Sequence, residues 1–258
     1  MLKDLTVLFP TRRCPEYTSI LIRSFEKFKP KELTIKYIVV ENSEDETGKS
    51  DILSLSPNVM WIQNPLDMLS FPHEVKGSFA NAIGVEVGLK YVTTQWVFIA
   101  HCDTCVTSQT FFEELSSQAH AGKLLIGTVL DNTRVHAIHV SGYLTLTYLA
   151  RRIDFKPVVG NENGIIHAIH DVGDGLDLLC RTLGLKTFCF KNSHNGADVV
   201  GPFKEFAVDR CLDSSGNVMF IHLGRGIYKM MGQYTTPNKV TSEEWIRRCT
   251  KILNNESP

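Results

Sequence analysis

The 258-residue sequence contains no apolar run near the roughly 18 residues that suggest a spanning helix, so no transmembrane segment is expected. It also lacks charge of one sign. Lys and Arg number 27 against 28 Asp and Glu, a net charge of −1. A nearly neutral chain has no global basic field to recruit nucleic acid, so nucleic acid is not an expected partner. Internal repeats are missing, as is any break in composition that compels a domain boundary. One domain over 1–258 is the expectation, with 1–106 and 107–258 as its halves. The opening MLKDLTVLFP enters a strand-like run directly, without a signal-peptide pattern. The seven cysteines are scattered and odd in number, which argues against a disulfide framework and for reduced thiols. Cys102 and Cys105 form one C-x-x-C, but neither a second ligand pair nor a thioredoxin-like context accompanies it. The expected location is cytoplasmic, the cytoplasmic face of a membrane included.

What is present is an ordinary globular composition, 43% apolar and 21% charged, in a chain long enough for one large α/β domain. Its organising stretch is Trp96 to Val106, WVFIAHCDTCV. Trp96 to Ala100 is short and apolar enough for a buried strand, and it ends in His101-Cys102-Asp103-Thr104. Open α/β sheets bind ligands at the carboxyl ends of their strands, which places Asp103 where it can hold a hard divalent cation through oxygen. The bland alternative is a strand followed by an Asp/Thr turn.

Upstream, Leu5 to Phe9 reads as a strand broken at Pro10-Thr11-Arg12-Arg13. Tyr17, Leu21, Phe25 and Phe28 recur at helical spacing from Pro15 to a stop at Pro30. Tyr37 to Val40 is a run suited to a parallel strand buried on both faces, and it ends in Glu41-Asn42-Ser43-Glu44-Asp45. Val59 to Ile62 suggests a third strand. Residues 64–77 read as irregular, and Ser78 as the cap of a helix carrying Phe79, Ala82, Ile83 and Val87. Downstream, Gln109 to Ala119 reads as a helix, Leu124 to Leu130 as a strand and Leu144 to Arg152 as a helix. Val158 to His170 reads as a loop, from its Gly and Asn cluster. Leu176 to Leu183 reads as a helix closed by Gly184. Lys186 to Phe190 and Val218 to His222 are strand-like, and 192–217 reads as a polar, mobile loop region. Thr241 with Glu244 forms a capping box ahead of a final helix bearing Trp245, Ile246, Cys249, Ile252 and Leu253. That helix either docks on the domain or makes a dimer contact.

Four places resemble the GT-A glycosyltransferases, most of all the inverting family 2 group. Leu8-Phe9-Pro10-Thr11 is similar to that family's opening strand. Val39 to Asp45 resembles its strand and acidic-Asn-Ser-x-Asp loop. Gly77 to Gly88 resembles its Gly-x-x-x-Asn-x-x-Gly helix, and Trp96 to Thr104 its strand leading to the Asp-x-Asp metal motif. The resemblance covers 5–106 and is looser beyond. There, His170-Asp171 resembles the motif of the catalytic base, and His222 with Gly224 and Gly226 the late His-x-Gly segment. Two departures stand out: His101 replaces the first Asp of Asp-x-Asp, and His170 the Glu before Asp171. The resemblance implies an α/β, Rossmann-like three-layer fold with a mostly parallel central sheet. It implies a nucleotide-diphosphate sugar donor, Mn²⁺ or Mg²⁺ at Asp103 and His222, and Asp171 or else Asp174 as base. It implies a nucleoside pocket of Pro10, Thr11, Arg12 and Glu41, extended by Asp67 and Asn81. Glycan, lipid-linked glycan or protein acceptors all fit.

Sugar transfer from a nucleotide diphosphate builds negative charge on the leaving group, which a cation offsets, and inversion needs a carboxylate to take the acceptor proton. Two rivals share the frame. A nucleotidyltransferase usually carries a Gly-rich phosphate loop after the first strand, which Pro10-Thr11-Arg12-Arg13 is not. A non-catalytic nucleotide- or sugar-binding protein would account for the thinned metal motif. His167 and His170, three apart beside Asp171, mimic a metal cluster but have no helix pattern to present them. His136 and His139 read as an acceptor-side loop or ordinary packing.

Overall fold

A computed structural model describes residues 2–131, 135–193, 207–224 and 241–256. Its centre is a seven-stranded sheet of order β10-β6-β7-β4-β1-β2-β3. The first half supplies β1 (Asp4–Thr11), β2 (Thr34–Glu41), β3 (Val59–Gln63) and β4 (Trp96–Ala100), all mutually parallel. The second half supplies β6 (Leu125–Gly127), β7 (Gly142–Leu146) and β10 (Thr187–Cys189). Of these, β7 runs against both β4 and β6, and β10 is parallel to β6. The fold is thus α/β with a mostly parallel central sheet.

Period-two alternation puts neighbouring residues on opposite faces. Val7, Phe9 and Phe98 join one core with helix α1 (Pro15–Phe28), helix α4 (Thr110–His120) and the C-terminal helix (Ser242–Leu253). Leu8, Val97 and Ile99 join the other, with helix α3 (Lys76–Leu89) and helix α6 (Asp174–Thr182). In the first core Phe25, Phe98, Phe111, Phe112 and Phe220 stack edge to face or flat, with centroids 5.2 to 6.0 Å apart. On the other face α3 lies hard against β1. A Cβ at Gly88 would come within 2.2 Å of Leu8, and one at Gly84 within 2.7 Å of Pro10 and 2.9 Å of Asn42.

A second sheet, β11-β12-β13-β5, branches from the first. Its strands are β5 (Thr104–Val106), β11 (Asn192–Ser193), β12 (Asp209–Leu212) and β13 (Val218–His222). The chain leaves β4, passes His101-Cys102-Asp103 and enters β5, which pairs antiparallel with β13.

Several sequence expectations need correction. Leu144 to Leu146 lies in strand β7, because pairing with Trp96 to Phe98 buries it; only Thr147–Ala150 turns helical, as helix α5. Val158 to His170 is a hairpin, β8 (Val158–Glu162) and β9 (Ile165–His170). Asn163 and Gly164 take positive φ, 52° and 83°, as a tight two-residue hairpin turn requires. Helix α3 starts at Lys76, since the Val75 carbonyl already accepts the Phe79 amide; Ser78 lies inside it. The span 192–217 holds β11 and β12 at its ends; 194–206 lie outside the described residues, as does the Arg225-Gly226 part of the late His-x-Gly segment. Cys102 and Cys105 do not converge: Cys102 Sγ sits 3.5 Å from Cys14 Sγ, and the free Cys105 thiol shares a hydrogen bond with the free Cys249 thiol.

The C-terminal helix docks on the domain. Trp245 and Cys249 are fully buried, Tyr17 donates to Ser242 Oγ at 2.8 Å, and Thr241 Oγ1 accepts the Glu244 amide. Lys27 Nζ donates to the Ile252 and Leu253 carbonyls, both at 2.8 Å, satisfying the helix's last acceptors. Among the described residues no helix is long and apolar enough to cross a membrane.

Candidate metal and nucleotide site

The junction of the two sheets is the site. His101 follows β4 and Asp103 precedes β5, while His222 ends β13, in register with Thr104. The Leu223 amide donates to the Asp103 carbonyl at 2.9 Å, fixing that crossing. Sheet pairing therefore brings a residue 119 to 121 positions away onto the central strand's end. His101, Asp103 and His222 each offer a ligand atom, all within 4.8 Å of one another. His222 Nε2 lies 3.1 Å from His101 Nδ1 and 3.4 Å from Asp103 Oδ1.

His222 is buried and His101 half-buried, and their charges diverge. Burial, then the His222 and His139 charges, push His101 down to about 3, against the weaker upward pull of Asp103 and Asp171. Burial also penalises a charged His222, but the Asp103 and Asp209 carboxylates outweigh it and raise the ring to about 10. With no ion bound, then, the His222 Nε2–H donates to a neutral His101 Nδ1, and its Nδ1–H donates to Asp209 Oδ2 at 2.8 Å. A cation would take the place of the shared proton. Two imidazole nitrogens and a carboxylate, convergent and largely shielded from water, fit a divalent first-row metal.

The sequence singled out Asp103 and His222 but gave His101 no ligand role. It also passed over Asp209, which lay in a stretch read as loop. His139, read as loop or packing, stacks at this site, its ring 5.5 Å from His101 and 5.9 Å from His222. His167 belongs to the exposed face of the β8–β9 hairpin and forms no metal cluster with His170 and Asp171 among the described residues.

The two candidate bases differ in setting. Asp171 is half-buried at the end of β9, near enough to His101 for its charge to be felt there. Asp174 is 1% exposed in the first turn of α6, and its Oδ2 accepts the Asp171 amide at 2.7 Å. Asp171 Oδ1 accepts the Val172 amide at 2.8 Å, and Asp174 holds the backbone that carries Asp171.

The nucleoside candidates gather at the ends of β1 and β2, where Thr11 and Glu41 are register partners. Arg13 takes a left-handed φ of 53°, which turns its amide onto both Glu41 oxygens at 3.2 Å. Ser43 Oγ donates to Glu41 Oε1 at 2.5 Å, and Arg12 Nη1 to the Asn42 carbonyl at 2.6 Å. Burial raises the Glu41 pKa, and the Ser43 and Arg13 hydrogen bonds and the Arg12 charge oppose it. Pro10 meets α3 at Gly84, and Asn42 Nδ2 reaches the Ala80 carbonyl on α3 at 2.8 Å. Asn81, next along, encloses a side-chain oxygen with no hydrogen-bond partner. Asp67 stands apart, exposed, capping the turn Met68–Ser70 through the Leu69 amide.

No protein-family model matches the sequence, and no curated protein matches it significantly. Solved structures do. A galactosyltransferase, LgtC, in complex with donor and acceptor sugar analogs aligns over 99% of this chain and 96% of its own, at 11% identity and a TM-score of 0.53. The mannosyltransferase PcManGT from Pyrobaculum calidifontis, in complex with GDP-Man and Mn²⁺, aligns over 72% of this chain and 54% of its own, at 10% identity and a TM-score of 0.50. At such identities the likeness is one of fold: the chain has the GT-A glycosyltransferase fold.

Proposed function

We propose that the protein is a metal-dependent glycosyltransferase that moves a sugar from a nucleotide-diphosphate donor to an acceptor hydroxyl with inversion. The observation that carries this reading is the coincidence of a GT-A fold with a convergent His101–Asp103–His222 group, its Asp103 and His222 buried, at the carboxyl end of the central strand. Those three side chains would hold the cation, which supplies charge neutralisation to the departing diphosphate. Thr11, Arg12 and Glu41 form the nucleoside pocket, with Pro10 as its floor. The Glu41 carboxylate, ringed by donors, accepts from ribose or base. A donor group on the nucleotide would satisfy the Asn81 oxygen. Asp171 takes the acceptor's proton, and Asp174 holds it in place through its backbone amide. Asp67, whose Oδ1 caps its own turn, extends the pocket through its other carboxylate oxygen. The acceptor is a glycan, a lipid-linked glycan or a protein, met in the cytoplasm.

Thermal unfolding with UDP, GDP, dTDP, ADP and CDP, each with and without Mn²⁺, tests this. One nucleotide stabilises the protein in a Mn²⁺-dependent way, and Asp103→Ala abolishes the shift. The matching nucleotide sugar then releases that nucleoside diphosphate on transfer. Pyrophosphate release would favour a nucleotidyltransferase, and binding without turnover of any donor a binding protein. No shift with any nucleotide overturns the reading.

A further inference from the structure

We propose that Asp209 is the positioning residue for the metal-binding imidazole of His222. The inference rests on the metal reading above and adds a residue outside its ligand set. Asp209 and His222 are register partners across β12 and β13, so their side chains leave one face of the hairpin together. Both are buried, 2% and 3% exposed, and Asp209 Oδ2 lies 2.8 Å from His222 Nδ1. A carboxylate there keeps a proton on Nδ1 and leaves the Nε2 lone pair for an ion. Nε2 is the atom that faces Asp103 Oδ1 and His101 Nδ1. The same bond stops the ring from turning about its own axis, which would carry Nε2 away from the other two ligands. Partners of this kind are worth about 10–100-fold in metal affinity.

The test is Mn²⁺ affinity, measured by electron paramagnetic resonance of free Mn²⁺ without any sugar donor, together with the visible spectrum of the Co²⁺ form. Asp209→Ala weakens Mn²⁺ binding about 10–100-fold and alters the Co²⁺ spectrum as His222→Ala does. Asp209→Asn, which keeps the shape and an acceptor but loses the charge, falls between. In a His222→Ala background a further Asp209→Ala has no effect, because Asp209 acts through that ring. An unchanged affinity in Asp209→Ala and Asp209→Asn overturns the proposal, as does equal loss in both backgrounds. A wild-type protein that binds no Mn²⁺ overturns the metal reading itself, and this inference with it.

Discussion

The departure of His101 from an Asp-x-Asp pattern changes which ion the site prefers. Mg²⁺ takes oxygen ligands and keeps its waters, whereas each imidazole shifts a site toward the first-row transition metals, of which Mn²⁺ is the weakest binder. With two nitrogens and one carboxylate, Mn²⁺ binds at least about tenfold tighter than Mg²⁺, and His101→Asp narrows that gap by restoring a second carboxylate. Isothermal titration with each ion checks both statements; equal affinities in the wild type refute the first. Glu41 carries a different consequence. Burial raises its pKa in the fold above the ordinary 4.5. Above pH 4.5 the unfolded chain gives up this proton before the folded one does, so the folded state binds more protons across that window. The group's contribution to stability therefore falls as pH rises from 4.5 through the raised value. Glu41→Gln lacks this slope. Its melting temperature relative to wild type improves as pH rises from 4 to 7, and a constant difference across that range would contradict the assignment.

Among the elements, helix α3 shows how packing overrides propensity. Alanine in a helix interior is normally better than glycine by about 1 kcal/mol. At Gly88 the added methyl meets Leu8 Cδ1 at 2.2 Å and Val40 Cγ2 at 3.1 Å, two side chains held in the close-packed core between α3 and the sheet. Overpacking of this kind costs about 1–3 kcal/mol, so Gly88→Ala lowers the denaturation midpoint despite the propensity gain. A midpoint equal to or above wild type would show that α3 shifts to make room. The same comparison marks what could be read from sequence. Strands β1, β2 and β4 announce themselves as continuous apolar runs that end in polar residues, because each is buried on both faces. Helix α1 and the C-terminal helix carry periodic stripes and end signals of their own. Strand β7 does not: Gly142 to Leu146 is strand because β4 and β6 flank it, a fact of tertiary pairing. The β8–β9 hairpin held its signal in Asn163-Gly164, but exposed strands with little alternation hid it. Asp103 was legible at a strand end. His101, His139 and Asp209 were not, since His222 reaches them only once β13 pairs with β5 and β12.

At the scale of the whole molecule, residues 1–106 do not stand alone. Its central strand β4 is flanked on one side by β1 and on the other by β7, which the second half contributes. Cut at residue 106, the apolar run Val97 to Ala100 becomes a bare sheet edge, a template for aggregation. The first core suffers equally. Phe98 loses Phe111 and Phe220, and Tyr17 loses its hydrogen bond to Ser242. Strand β5 loses β13, and with it goes His222, so the fragment keeps two of the three proposed cation ligands and lacks the strand that meets them. A fragment spanning 1–106 therefore shows no cooperative thermal transition by circular dichroism and no Mn²⁺-dependent nucleotide shift. The intact chain, by contrast, gains about 2.7 kcal/mol when Mn²⁺ with nucleotide is present at a hundredfold over its dissociation constant. For a chain of this size that gain corresponds to a rise of roughly 5–10 °C. Because the ligands come from both halves, the rise appears as one transition that moves as a whole. A cooperative, nucleotide-responsive 1–106 fragment would instead mean that the second half is an addition to a self-sufficient domain, and that the junction at Asp103 is a seam between two folding units.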